Sequence, residues 1–233
     1  MRSLWNEALA TRPAPPAWVV AVTLAAALAT VGSRRLWRLS RQVITIAHEG
    51  GHAVVALAVG RRLTGIRLHS DSSGLTVSSG RPRGAGMVAT LAAGYVSPSL
   101  LGLGASWLVA SRRITAVLVC GLVLLAAMSV LIRNVFGILS LAVCVTATVG
   151  ALWSGLSTLQ ALLAWTLTWF LLLGGPRAIW ELRRSRRRRG PTSDADQLAA
   201  LTHVPAAAWI GVFAFVAAGA LGIGARWLVL TVR

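Results

Sequence analysis

Long apolar stretches, broken by short clusters of arginine, glycine and proline, set the rhythm of this chain. Seven of them approach the roughly 20 apolar residues that cross a hydrocarbon core: residues 17–32, 42–60, 85–110, 114–132, 134–153, 156–178 and 206–230. Between the second and third the period shortens to two. Ile66 and Leu68 alternate with polar neighbours, the stretch from Asp71 to Gly74 supplies turn residues, and Leu75 and Val77 resume the alternation, which predicts a β-hairpin over 62–80. The pattern therefore predicts an all-α polytopic membrane protein of about seven transmembrane helices, with one small hairpin, read as one integral-membrane domain over residues 1–233. The stretch 179–205 is expected to be a basic cytoplasmic loop holding a short helix that Thr192 or Ser193 caps.

Composition agrees with the membrane reading. Of 233 residues 56% are hydrophobic, against roughly 45–50% in soluble domains. The formal charge of +17 is carried by 23 basic residues, all arginine. Most lie in the short segments between apolar spans, where they act as orientation signals and meet lipid headgroups, so a nucleic-acid partner is not expected. With the N-terminus inside, fifteen arginines fall on the cytoplasmic face and eight, including Arg34 to Arg41, Arg112 and Arg113, on the other. That excess predicts a chain whose hairpin and basic loop lie on the cytoplasmic side of the membrane. The first span reads as retained, because Glu7 and the proline-rich segment after it make a poor signal peptide. Cys120 and Cys144 lie within apolar spans and read as free thiols, and tryptophans such as Trp18, Trp37, Trp107 and Trp153 sit near span ends.

One stretch breaks the apolar pattern in the second span: "AHEGGHAVV" puts His48, Glu49 and His52 where charge is costliest. Two histidines four residues apart project from one helix face and can bind one ion. A glutamate directly after the first can reach a water on that ion as a general base without being a ligand. With four histidines and three glutamates in the chain, chance yields an HExxH about 0.001 times. Zinc held there lowers the pKa of its water to about 7 and polarises a carbonyl. Gly50 and Gly51, poor helix formers, imply that another helix or a substrate backbone comes close at this turn.

A hydrolytic zinc takes three protein ligands. The remaining candidates are Glu7, His69, Asp71, Glu181, Asp194, Asp196 and His203. Glu7 precedes the first span, Asp71 reads as a turn former, and Glu181 is expected to pair with Arg183 and Arg184. Asp194 is taken as the third ligand narrowly ahead of Asp196, with His203 next. The competing reading is that both aspartates only complement a helix N-terminus.

With these residues in view, the chain resembles the site-2 protease family of intramembrane zinc metalloproteases, and more narrowly the bacterial peptidase M50B-like membrane proteins. "TIAHEGGHAVVALAVGRRLTGIRL", "LAAGYVSPSLLG", "RNVFG" and "SDADQLAALTHVPAAAW" carry the resemblance. It implies one zinc per chain on His48 and His52, Glu49 as catalytic acid/base, and a membrane-anchored protein as substrate, cut in or near its transmembrane segment. It further implies a hairpin that receives the substrate as an added strand. The family's aspartate in "N-x-x-P-x-x-x-L-D-G" has no counterpart: Asn134 matches the start, but Gly137 replaces the proline and Ala142 falls where the aspartate belongs. Either Asp194 stands in for it, or the chain is a catalytically inactive membrane scaffold that keeps the fold. A metal or solute transporter would need more polar residues across the spans than this sequence has.

Overall fold

The computed structural model of the chain describes residues 6, 10–71, 73–189 and 193–231; Arg2, Glu7, Thr192 and Arg233 lie outside the described residues. Helix α1 (Ala17–Gly32) is followed by α2 (Arg34–Ala58), a hairpin of β1 (Arg62–Leu68) and β2 (Gly74–Ser79), and then α3 (Ala85–Ala110), α4 (Ile114–Leu131) and α5 (Val135–Trp153). A long α6 (Ser157–Arg189), a short α7 (Asp194–Thr202) and α8 (Ala206–Leu230) complete the chain.

The fold is mostly helical, but the expected seven spans become fewer. Five helices, α3, α4, α5, α6 and α8, are long and apolar enough to cross a membrane, and α1 with α2 adds at most a sixth because the two meet at 101°. The reason lies in the arginines. The Ser33 hydroxyl accepts from the Leu36 amide at 3.4 Å, so the helix begins at Arg34 and includes Arg35, Arg38 and Arg41. A helix with four cations in its first half cannot enter hydrocarbon at that end. It turns aside instead, and its start docks on α6, where buried Trp37 donates its indole N–H to Glu181 at 2.8 Å.

This merger moves the N-terminal side. The Arg12 amide donates to the Arg112 carbonyl at 2.9 Å, so these two residues share a face that the sequence reading divided between them. Arg41, in turn, lies 3.6 Å from Glu181, on the same side as Arg177. One crossing fewer before the hairpin puts residues 10–16 opposite it, and leaves Arg34 to Arg41, the hairpin arginines, Arg133 and the end of α6 together. The basic stretch expected as a loop from 179 is helical to Arg189.

Helix α3 is the central packing element, and small residues let its neighbours come close. A Cβ on Gly102 would meet the Leu172 amide nitrogen of α6 at 2.9 Å, and one on Gly224 of α8 would meet Leu172 at 2.9 Å. Around them Trp165, Leu172, Leu118 and Leu228 are fully buried.

The hairpin is antiparallel, pairing Leu68 with Gly74 and Ile66 with Thr76. Its base is clamped by Arg61, which donates to the Ser78 hydroxyl at 3.1 Å and the Arg81 carbonyl at 2.6 Å. Its outer edge is covered by the chain itself. Arg133 N–H donates to the Ile66 carbonyl at 2.9 Å, and the Asn134 side chain accepts from Leu68 N–H at 3.0 Å while donating to Leu68 O at 2.6 Å. Gly137 is needed for that, since a Cβ there would sit 2.9 Å from Asn134 Oδ1. The partner of Asn134 is thus a strand edge.

A side-selective labelling experiment checks this arrangement. With Cys120 and Cys144 replaced by alanine, single cysteines at exposed Ala14 and Ser79 are expected to react with an impermeant maleimide from opposite sides of sealed vesicles. Reaction from one common side contradicts it.

Candidate metal centre

His48 and His52 lie one turn apart on α2, with their Nε2 atoms 3.1 Å apart. Asp194, the first residue of α7, brings Oδ2 to 3.2 Å from His48 Nε2 and 3.3 Å from His52 Nε2. His52 Nδ1 stands 2.7 Å from the Thr90 carbonyl. A carbonyl only accepts, so Nδ1 carries a proton, and Nε2 is left to face the other two groups. Nε2 faces a second imidazole and a carboxylate, a meeting that a positive charge among the three holds together, either a proton on an imidazole or a metal ion.

The spacing suits a metal ion. Ligand atoms about 2.0–2.1 Å from a tetrahedral zinc lie about 3.3–3.4 Å from one another, and the three separations are 3.1, 3.2 and 3.3 Å. Three protein atoms on one side leave the fourth position to water or substrate. The Thr90 carbonyl fixes His52's tautomer and ring plane, as an outer partner of a metal-bound histidine does. Burial alone would raise the Asp194 carboxyl, but hydrogen bonding and charge from His48 and His52 outweigh it and hold the group well below the usual carboxylate range. It is therefore ionised and ready as a ligand. His48 and Asp194 keep side-chain exposures of 18% and 16%, so the centre is not sealed off.

Glu49 is buried beside the pair, beneath β2. Its Oε2 accepts from the Thr76 hydroxyl at 2.6 Å, which aims the carboxylate. Gly74 leaves it room, because a Cβ there would lie 2.7 Å from Glu49 Cδ. Gly94 of α3 does the same for the imidazoles, with a Cβ at 2.5 Å from His52 Nε2 and 2.7 Å from His48 Cε1. Tyr95 then walls the site, edge-on to His48 at a centroid distance of 4.6 Å and stacked on Phe213 at 5.4 Å.

The two glycines of the motif differ. At Gly51 a Cβ would press to 2.9 Å from the Ala93 carbonyl and into Ser97, so α3 is the close neighbour the sequence implied. At Gly50 it would only touch the Met128 sulfur at 3.4 Å.

The other candidates lie elsewhere. Asp71 closes the hairpin turn, where hydrogen bonds from the Ser73 hydroxyl and amide (2.6 and 2.9 Å) lower its pKa. His69 lies in the same turn, 3.3 Å from the Ser73 hydroxyl. Glu181 pairs with Arg41, Arg177 and Trp37 rather than with Arg183 and Arg184. His203 ends α7 in a left-handed conformation, φ 59°, a helix length away from Asp194. Asp196 turns the other way, onto Arg186 and Ser193. Sequence reasoning missed Thr76, Gly74, Thr90, Gly94 and Tyr95. Only the single-tyrosine count offered any signal, since a lone tyrosine in an apolar helix asks for a polar neighbour.

The free edge of the hairpin passes this centre. Ile66 and Leu68 turn their backbone groups toward residues 133–134, so their partners Thr76 and Gly74 turn theirs away from β1 by the alternation of an antiparallel ladder. Among the described residues, no backbone partner meets Gly74 or Thr76 on that edge.

A family model described as Peptidase M50B-like matches residues 21–224. No curated protein and no solved structure matches the chain.

The glycine contrast gives a stability test. Gly51→Ala is expected to lower the thermal unfolding midpoint in detergent by the equivalent of roughly 1–3 kcal/mol, the usual cost of overpacking, whereas Gly50→Ala leaves it unchanged or higher. Equal effects contradict the close α2–α3 approach.

Proposed function

The chain belongs to the M50B-like peptidases, the site-2 protease family, and we propose that it is an intramembrane zinc metalloprotease that hydrolyses peptide bonds in or near transmembrane segments of membrane-anchored proteins. The observation that carries this reading is the convergence of two imidazole nitrogens and one carboxylate oxygen within 3.3 Å of one another, with Glu49 buried alongside.

In this reading His48, His52 and Asp194 hold one zinc. When bound, zinc supplies a Lewis acid that makes water acidic enough to lose a proton near neutral pH and polarises the scissile carbonyl. Glu49 takes the proton of the attacking water on its carboxylate and returns it to the amine nitrogen of the broken bond. Thr76 keeps that carboxylate aimed. The substrate enters as an extended strand on the open edge at Gly74 and Thr76, since β-strand addition exposes the peptide bond that a helix conceals. Asn134, with both amide arms engaged by Leu68, serves in holding the hairpin.

The arginine distribution supports a site that faces the cytoplasm. Arg34, Arg35, Arg38, Arg41, the hairpin arginines, Arg133 and those at the end of α6 share the face of the metal centre, against Arg12, Arg112, Arg113 and Arg226 at the other end. The excess is larger than the sequence reading gave and points inward. Exposed arginines on that face meet anionic headgroups.

The test joins metal content to cleavage. Detergent-purified wild type is expected to carry about one zinc per chain, and His48→Ala, His52→Ala and Asp194→Ala each to lose most of it. Glu49→Gln is expected to keep zinc while losing, by at least about 100-fold, cleavage of single-span membrane proteins co-reconstituted in vesicles. Zinc without any Glu49-dependent cleavage supports the inactive scaffold; wild type without zinc overturns the reading.

A further inference from the structure

Asp196 was the close rival of Asp194, and the structure gives it a different task. Its Oδ1 accepts from Arg186 Nε at 2.9 Å and lies 2.6 Å from the second guanidinium nitrogen, while Oδ2 accepts the Ser193 hydroxyl at 2.6 Å and the Ser193 amide at 3.0 Å. Both carboxylate oxygens are thus spent on the corner between α6 and α7. Apart from Asp194 itself and a hydrogen bond from the Trp209 indole to the Thr202 hydroxyl at 3.1 Å at the far end, the hold on α7 is apolar: Ala195 and Leu198 are fully buried among Leu91, Ile179 and Leu182. That contact fixes the helix against the bundle. It does little to fix rotation and slide about the helix's first residue, which is Asp194.

We propose that the Arg186–Asp196 ion pair is the positioning latch of the metal centre, setting the Asp194 carboxylate against the two imidazoles by pinning the first turn of α7 to the last turns of α6. This rests on the metal reading above. Ligand oxygens bind only within a few tenths of an ångström of the right place, and a fixed fork such as guanidinium on carboxylate gives direction as well as attraction. Arg186 and Asp196 are positioning residues, since neither touches the three converging atoms.

A double-mutant cycle on the full-length chain in detergent separates the latch from general structural damage. Zinc affinity is read by competition with a chromophoric chelator. Arg186→Gln is expected to weaken it about 10–100-fold, the usual loss when an outer partner of a metal ligand is removed, and Arg186→Lys to recover much of that loss. In an Asp194→Ala background Arg186→Gln is expected to change the affinity no further, because the group it positions is gone. The visible spectrum of the cobalt-loaded protein should change in Arg186→Gln in the same direction as in Asp194→Ala. If Arg186→Gln does not fold, Asp196→Asn, which keeps a partner for Ser193, replaces it with the same expectations. An unchanged affinity, or an equal loss with and without Asp194, overturns the latch while leaving the protease reading in place. Wild type that binds no zinc overturns both.

Discussion

Three lone-pair-bearing atoms held within 3.3 Å of one another are the constraint on which the rest of this structure depends. Such an arrangement opposes itself electrostatically, most of all in a poorly solvated bundle where charges are weakly screened. A fold that maintains it needs a positive charge among the three, a proton or a metal ion, and must brace each group so that it cannot relax away. Each group has its brace. Thr90 holds the His52 ring, Tyr95 stands against His48, and the short helix α7 carries Asp194.

Much of the architecture follows from bringing those groups together. Helix α2 carries the histidines, and it lies aslant because its four early arginines keep its start at the α6 end of the bundle, where Glu181 meets Arg41 and Arg177. Helix α3 can press on the imidazoles only because residues 51 and 94 lack side chains. The hairpin closes over Glu49 because residue 74 also lacks one. Its position is locked from the far side by Asn134, so that the edge left open is the one beside the Glu49 carboxylate. The glycines that matter here are sites of contact between backbone and functional side chain.

The sequence pointed to the residues of the candidate site better than to the geometry around them. His48, Glu49 and His52 were legible because four-residue spacing fixes a shared helix face whatever surrounds it. Asp194 was reachable only by elimination, helped by a chain with three aspartates. It could not be separated from Asp196 because two acids in one first turn have the same local logic, and what divides them is Arg186 arriving from another helix. The merger of the first two expected spans was hidden for a related reason. Hydropathy reports how apolar a stretch is, and the 101° bend at Ser33 goes with the docking of Trp37 and Arg41 on Glu181 of α6. Glu181 shows the same limit: its neighbours in sequence suggested Arg183 and Arg184, while packing delivered Arg41 and Arg177. Contacts between distant segments decide these matters, and a single sequence records them only indirectly.

Zinc-edge X-ray absorption on the wild-type protein, purified without chelators, addresses the central claim most directly. The account predicts a four-coordinate zinc whose scattering shell contains two imidazole nitrogens and carboxylate oxygen, with ligand distances of about 2.0–2.2 Å. A shell dominated by sulfur, a single imidazole, or protein that binds no metal at all would contradict it.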